Sequence, residues 1–160
     1  MDEINLYIYS DIKSNSTKAG SYIYILEMQT SKGAATLSSK PVDVEGLTGY
    51  QVELAAITAA LKRLTRQCRV NIYASNIVLT AALKEGWYKK WILNGYKHPN
   101  GQEISHINEW KTFIETLGDN TIGEVYKDEH TYTSWMRTEC ERRKENRNGN
   151  VDNAISRQQS

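Results

Sequence analysis

Apolar and polar residues alternate along the first third of the chain, which is the period of a strand with one face buried. From Asn5 to Asp11, Leu6 and Ile8 fall on one face and Tyr7, Tyr9 and Asp11 on the other, so Asp11 closes a first strand. Residues 12–20 have the Ser, Asn and Gly content of a loop, and Ser21 to Gln29 reads as a second strand rich in Tyr and Ile. Lys32 and Gly33 supply a hairpin turn. A third strand over Ala34 to Val42 completes an antiparallel meander.

From Gly49 to Gln67 the period lengthens. Tyr50, Leu54, Ile57, Leu61 and Leu64 step by four and three onto one helical face, which predicts a helix packed on the sheet. At about 100° per residue, Glu53 falls at the edge of that face, where it can point along the sheet into a cleft. Arg69 to Ser75 then reads as a strand, Ile77 to Glu85 as a short helix and Gly86 to Gly101 as an aromatic, basic segment. A helix over His106 to Leu117, a weak strand over Thr121 to Lys127 and a last helix over Thr133 to Lys144 follow. The order β-β-β-α-β-α-α-β-α predicts an α/β fold, a five-stranded mixed sheet with helices on both faces. Residues 145–160, rich in Asn, Gln and Ser, predict a polar, flexible tail after a domain formed by residues 1–144.

At 160 residues one hydrophobic core is expected, without disulfides or a structural metal to hold it. The 20 Lys and Arg against 19 Asp and Glu leave a formal charge of +1, which removes binding to nucleic acid through bulk charge. An anionic partner must then meet a local patch. Lys84, Lys89, Lys90 and Lys97 against Glu85 supply one, and the alternative for these lysines is a solvated face. Trp87 and Trp91, four residues apart, serve either helix packing or contact with a nucleic-acid backbone. Cys68 and Cys140, with His98, His106 and His130, lack the spacing of a zinc site and suit free thiols in a reducing compartment. No apolar run approaches a membrane span, and the first ten residues lack the features of a signal peptide, so a cytoplasmic protein with no membrane partner is expected.

The order of elements, with an Asp closing the first strand and a Glu in the first long helix, resembles the type 1 ribonuclease H family over roughly residues 4–143. Three blocks carry the likeness: Gly49 to Ala56, with Glu53 followed by Leu54; Trp87 to Lys97, similar to the family's basic protrusion; and His98 to Trp110 after it. The resemblance implies cleavage of the RNA strand of RNA–DNA hybrids by two magnesium ions held by four carboxylates. Two divalent cations about 4 Å apart repel, and clustered carboxylates neutralise them while leaving positions for a phosphate oxygen and a water. Asp11 matches the first-strand Asp and Glu53 the helix Glu, as catalytic residues and metal ligands. Asp11 also has a simpler reading, a strand-end Asp bonded to loop amides, and Glu53 that of a helix-surface carboxylate.

Ser75 stands where the family has its third carboxylate, and Asn76 falls on the opposite face of the strand. The fourth falls at Thr138, or at Glu139 with a shift of one residue. His130 corresponds to the family's loop His. The first loop, Gly- and Pro-rich in the family, carries side chains from Ile12 to Lys18, and Tyr50 and Ile77 replace an Asn and a Gln that read the minor groove. The expected function is therefore binding of RNA–DNA hybrid through Lys84, Trp87, Lys89, Lys90, Trp91 and Lys97, with magnesium-dependent hydrolysis lost or much reduced. One alternative is an active enzyme in which Glu139, Asp128 or Glu129 joins Asp11 and Glu53. The other is a protein-interaction module, with a protein partner or homodimer covering the cleft.

Overall fold

In the computed structural model, the backbone is described for residues 1–159 and the side chains for residues 1–148. Six strands form one mixed sheet: β1 (Asp2–Ser10), β2 (Lys18–Thr30), β3 (Gly33–Ser38), β4 (Val42–Leu47), β5 (Cys68–Tyr73) and β6 (Thr121–Tyr126). Five helices accompany them: α1 (Gly49–Leu61), α2 (Ile77–Lys84), α3 (Trp87–Leu93), α4 (Ile107–Leu117) and α5 (Thr133–Gln159). The main path through the sheet is β3-β2-β1-β5-β6. Pairing is antiparallel from β1 through β2 to β3 and parallel from β1 through β5 to β6.

Six strands replace the five expected because the third divides. Pro41 lacks a backbone donor and pushes Lys40 out of regular pairing, so β3 stops at Ser38 and β4 starts at Val42. Both halves stay on β2, β3 opposite Ile25 to Thr30 and β4 opposite Lys18 to Tyr22. The hairpin between β2 and β3 closes at Thr30 opposite Gly33, whose φ of 110° suits a residue without a Cβ. The long helix ends at Leu61 rather than Gln67. Helix α3 orders part of the basic segment.

Alternation along the strands builds two cores. Ile4, Leu6 and Ile8 of β1, with Val70 and Ile72 of β5, meet Leu54, Ile57 and Leu61 of α1 and Trp110 and Phe113 of α4. On the other face Tyr7, Ile23 and Ile25 pack against Met136 and Cys140 of α5. Helices thus cover both faces. Helix α5 runs past the expected end at Lys144, and Arg147 donates to the Gly20 carbonyl at 3.1 Å and to Asp43 at 3.3 Å. The remainder of the expected tail, residues 149–160, lies outside the residues whose side chains are described. No helix among the described residues is long and apolar enough to cross a membrane.

Candidate functional site

The C-terminal ends of the parallel strands β1 and β5 open on one side of the sheet, next to the starts of α1 and α2. There a cleft of about 690 Å³ is lined by residues that include Tyr9, Lys13, Glu53, Ser75, His130 and Arg137. Its walls come from five places in the chain: the end of β1 and its loop, the start of α1, the β5–α2 junction, the loop between β6 and α5, and the start of α5.

Glu53 is 3% exposed on a helix held in register by a capping box between Thr48 and Gln51. Its Oε1 accepts hydrogen bonds from the Ser75 and Asn76 amides at 2.8 and 2.9 Å. Its Oε2 accepts from the Ser75 hydroxyl at 2.7 Å. A buried carboxylate is tolerated only when it is bonded in this way. Asn76 is the N-cap of α2, its side chain accepting from the Leu79 amide at 2.9 Å, so Glu53 ties α1 to the β5–α2 junction. Glu53 is therefore not the surface carboxylate that was one of its two readings.

Asp11 follows the last residue of β1 and accepts from the Ser21 amide through Oδ1 at 2.9 Å. The donor is an amide of strand β2, not one of the loop amides that the simpler reading of Asp11 expected. Gly20 makes it possible, because a Cβ there would lie 2.3 Å from Asp11 Oδ1.

Lys13 enters the cleft because the loop after β1 is fixed on both sides. Ile12 is buried, its amide donating to Ser10 Oγ at 3.0 Å, and the Gly49 amide donates to the Ser14 carbonyl at 2.9 Å. The loop backbone passes so close to α1 that a Cβ on Gly49 would come 3.1 Å from the Lys13 carbonyl carbon. Lys13 Nζ donates to Ser75 Oγ at 3.3 Å and lies 4.5 Å from the centre of the Tyr9 ring. Lys13 keeps solvent contact, yet desolvation by the surrounding cleft walls lowers its pKa, and the Glu53 charge opposes that shift.

From α5, Thr133 lines the cleft, and so does Arg137. It donates to Glu129 at 2.8 Å, and its guanidinium carbon lies 5.9 Å from the centre of the same Tyr9 ring. Thr138 instead donates to the Ser134 carbonyl at 3.0 Å, Glu139 accepts from Arg142 at 3.1 Å, and neither lines the cleft. Asp128 and Glu129 do line it. Among the described residues, no group of three or more His, Cys, Asp or Glu side chains is arranged to hold a metal ion.

His130 reaches the cleft wall with both ring nitrogens engaged by backbone. Nδ1 accepts from the Tyr132 amide at 3.2 Å, which leaves Nε2 to donate to the Ile8 carbonyl at 3.1 Å. Burial lowers its pKa, and the bond to Ile8 acts in the opposite direction.

The basic segment divides by exposure. Lys84, Lys89, Lys90 and Lys97 are exposed and Trp87 is 37% exposed. Trp91 is half-buried with its ring 4.9 Å from Trp110, edge to face, so it belongs to packing. Trp110 in turn donates through its indole N–H to the Tyr50 hydroxyl at 2.7 Å, which joins α4 to the start of α1.

Of the expected residues, the cleft lining therefore collects Glu53, Ser75, Asp128, Glu129 and His130 but not Asp11, and it adds Lys13 and Arg137, which the sequence alone does not single out. Arg137 has a signal in the sequence. Met136 and Cys140, four apart, mark the buried side of α5, and Thr133 and Arg137, also four apart, form the adjacent row. Lys13 has none, because its position depends on how the loop docks against Gly49.

No protein-family profile matches the chain. Its sequence is 30% identical over 81 residues to ribonuclease H of Thermoanaerobacter sp. (strain X514), covering 51% of this chain and 52% of that protein. Identity to ribonuclease H of Lachnoclostridium phytofermentans is 24% over 120 residues, covering 75% of this chain and 76% of that one. At 30% identity the match spans about half the length of the relative. Among solved structures, LC9-RNase H1, described as a type 1 RNase H with the type 2 active-site motif, superposes with a TM-score of 0.68 at 13% identity, covering 86% of this chain and 70% of that one. The RNase H domain of the foamy virus PFV superposes with a TM-score of 0.57 at 18% identity, covering 88% and 90%. A foamy viral protease–reverse transcriptase in complex with RNA/DNA hybrid gives 0.54 at 16% identity, covering 81% of this chain and 18% of that one. At these identities the structural likeness speaks to fold.

Proposed function

We propose that the chain, whose fold is ribonuclease H-like, is a ribonuclease H-type domain that binds nucleic acid, with RNA–DNA hybrid as the preferred form, and that it hydrolyses the RNA strand poorly or not at all. The observation that carries this reading is the Ser75–Glu53 pair. At the place where the resemblance calls for a carboxylate, Ser75 turns its hydroxyl onto Glu53 and occupies one of that residue's oxygens. The other oxygen is already shared by two amides.

The donors present do not fit the two magnesium ions that the family implies. Three of the bonding positions of Glu53 are taken, one Asp11 oxygen is bonded to the Ser21 amide, the places of the other two carboxylates hold Ser75 and Thr138, and the cleft sets the Lys13 ammonium and the Arg137 guanidinium against Asp128 and Glu129. What the cleft offers a phosphodiester is a pair of cations beside an exposed basic segment.

Binding and cleavage of a labelled RNA–DNA hybrid, measured side by side while magnesium and then manganese is titrated, test the reading. Binding without cleavage is expected. Cleavage in magnesium that Asp11→Asn abolishes would overturn it.

A further inference from the structure

The cleft carries positive charge on side chains at the place where the family would carry it on ions. Lys13 Nζ and the Arg137 guanidinium approach the same Tyr9 ring, at 4.5 and 5.9 Å from its centre, from two different elements. Lys13 reaches Glu53 through the Ser75 hydroxyl, with links of 3.3 and 2.7 Å. Arg137 is paired at 2.8 Å with Glu129, which also lines the cleft. Four further acidic or titratable groups face this space or adjoin it: Glu53 from α1, Asp11 at the end of β1, and Asp128 and His130 from the loop before α5. Of these, Glu53 is satisfied by Ser75 and Asn76, and His130 by backbone.

We propose that Lys13 and Arg137 are tethered cations that replace the divalent ions in this cleft, so that the protein excludes magnesium and meets a phosphodiester with its own ammonium and guanidinium. The proposal rests on the reading of the cleft as a nucleic-acid site. It adds the residues that make the site independent of metal. A divalent ion placed beside Glu53 would meet a fixed positive charge held there by the docking of Ile12 and Gly49, and the usual attraction of a carboxylate cluster would be cancelled at short range. An ammonium cannot polarise a water as a metal does, so the same exchange removes the attacking hydroxide.

Isothermal calorimetry with manganese chloride alone, on the full chain without nucleic acid, tests this. The wild-type protein is expected to give no saturable heat and no thermal shift. The variant Lys13→Ala, Arg137→Asp, Ser75→Asp is expected to give a saturable manganese isotherm and to gain a metal-dependent thermal shift. Lys13→Ala with Arg137→Asp, which changes only exposed side chains, is the second variant should the triple one not fold, and a smaller gain is expected of it. Stoichiometric binding of manganese by the wild type would overturn the proposal, as would no gain in a folded double variant. Hybrid binding in a chelator, measured on the same proteins, reports separately on the nucleic-acid reading: its absence would sink that reading while the calorimetry still decided the question of metal.

Discussion

The Ser75 hydroxyl donates to Glu53 Oε2 at 2.7 Å, while the Ser75 amide donates to Oε1 of the same carboxylate at 2.8 Å. One residue thus holds both oxygens of a side chain that is 3% exposed. The Glu53 charge also faces the start of α2, where backbone donors and the helix dipole favour an anion. Glu53 in this chain is consequently a strut between α1 and the β5–α2 junction, whatever else it does.

That role has a measurable cost on removal. Ser75→Ala takes away one bond to a charged, buried acceptor, and because Ser75 itself is exposed, water can replace part of the loss. A destabilisation of about 1–2 kcal/mol is expected in urea unfolding. Glu53→Ala should cost more, since the Ser75 and Asn76 amides lose their acceptor together. Equal stability of Ser75→Ala and wild type would show that the hydroxyl bond carries nothing.

Asp11 depends on a neighbour in the same way. A methyl group at position 20 would sit 2.3 Å from Asp11 Oδ1 and 2.7 Å from Ile12 Cγ1, so Gly20→Ala must displace the loop that presents Lys13. Overpacking of this kind costs about 1–3 kcal/mol, to be read as a lower urea midpoint with an unchanged slope. Unperturbed unfolding of the variant would show that the loop can move at no cost.

His130 supplies a pH dependence with a definite sign. Its folded pKa is lowered from 6.5, mainly by burial, whereas the unfolded value stays near 6.5. The stability contributed by the neutral ring is therefore present above about pH 6.5 and is lost as pH falls through the folded pKa. Protonating Nδ1 would also turn the acceptor for the Tyr132 amide into a donor. His130→Gln, which does not titrate, is expected to lose less stability than wild type between neutral and mildly acidic pH. Parallel stability curves would count against this.

Much of the fold is legible in the sequence because it follows from periods. The alternation in β1 and the Leu54, Ile57, Leu61 stripe each place residues without reference to distant parts of the chain. Strand β4 could have been separated from β3 on the strength of Pro41 alone. The site is less legible. Asp11 follows the end of a strand and Glu53 lies in the second turn of a helix, and both are found by counting, but Arg137 and Thr138 differ by one residue on a helix, a rotation of about 100°. That error decides whether the cleft is given a neutral side chain or a guanidinium. Lys13 is further removed still, since the loop that carries it is shaped by the Gly49 amide from another element.

The basic segment offers the last test, because its residues separate into two mechanisms. Lys89 and Lys90 are exposed on α3 and pair with no acidic group among the described salt bridges, so the double variant Lys89→Ala, Lys90→Ala should fold with wild-type stability. If both lysines neutralise phosphates of a bound hybrid, the variant's affinity should fall, and the slope of log affinity against log salt should become shallower by about 1.8. Trp91→Ala is the control for packing. It removes the edge of an aromatic cluster against Trp110 and should lower stability by about 2 kcal/mol or more, with any loss of binding following from that. Salt slopes that coincide for wild type and the lysine variant would move the nucleic-acid contact away from α3.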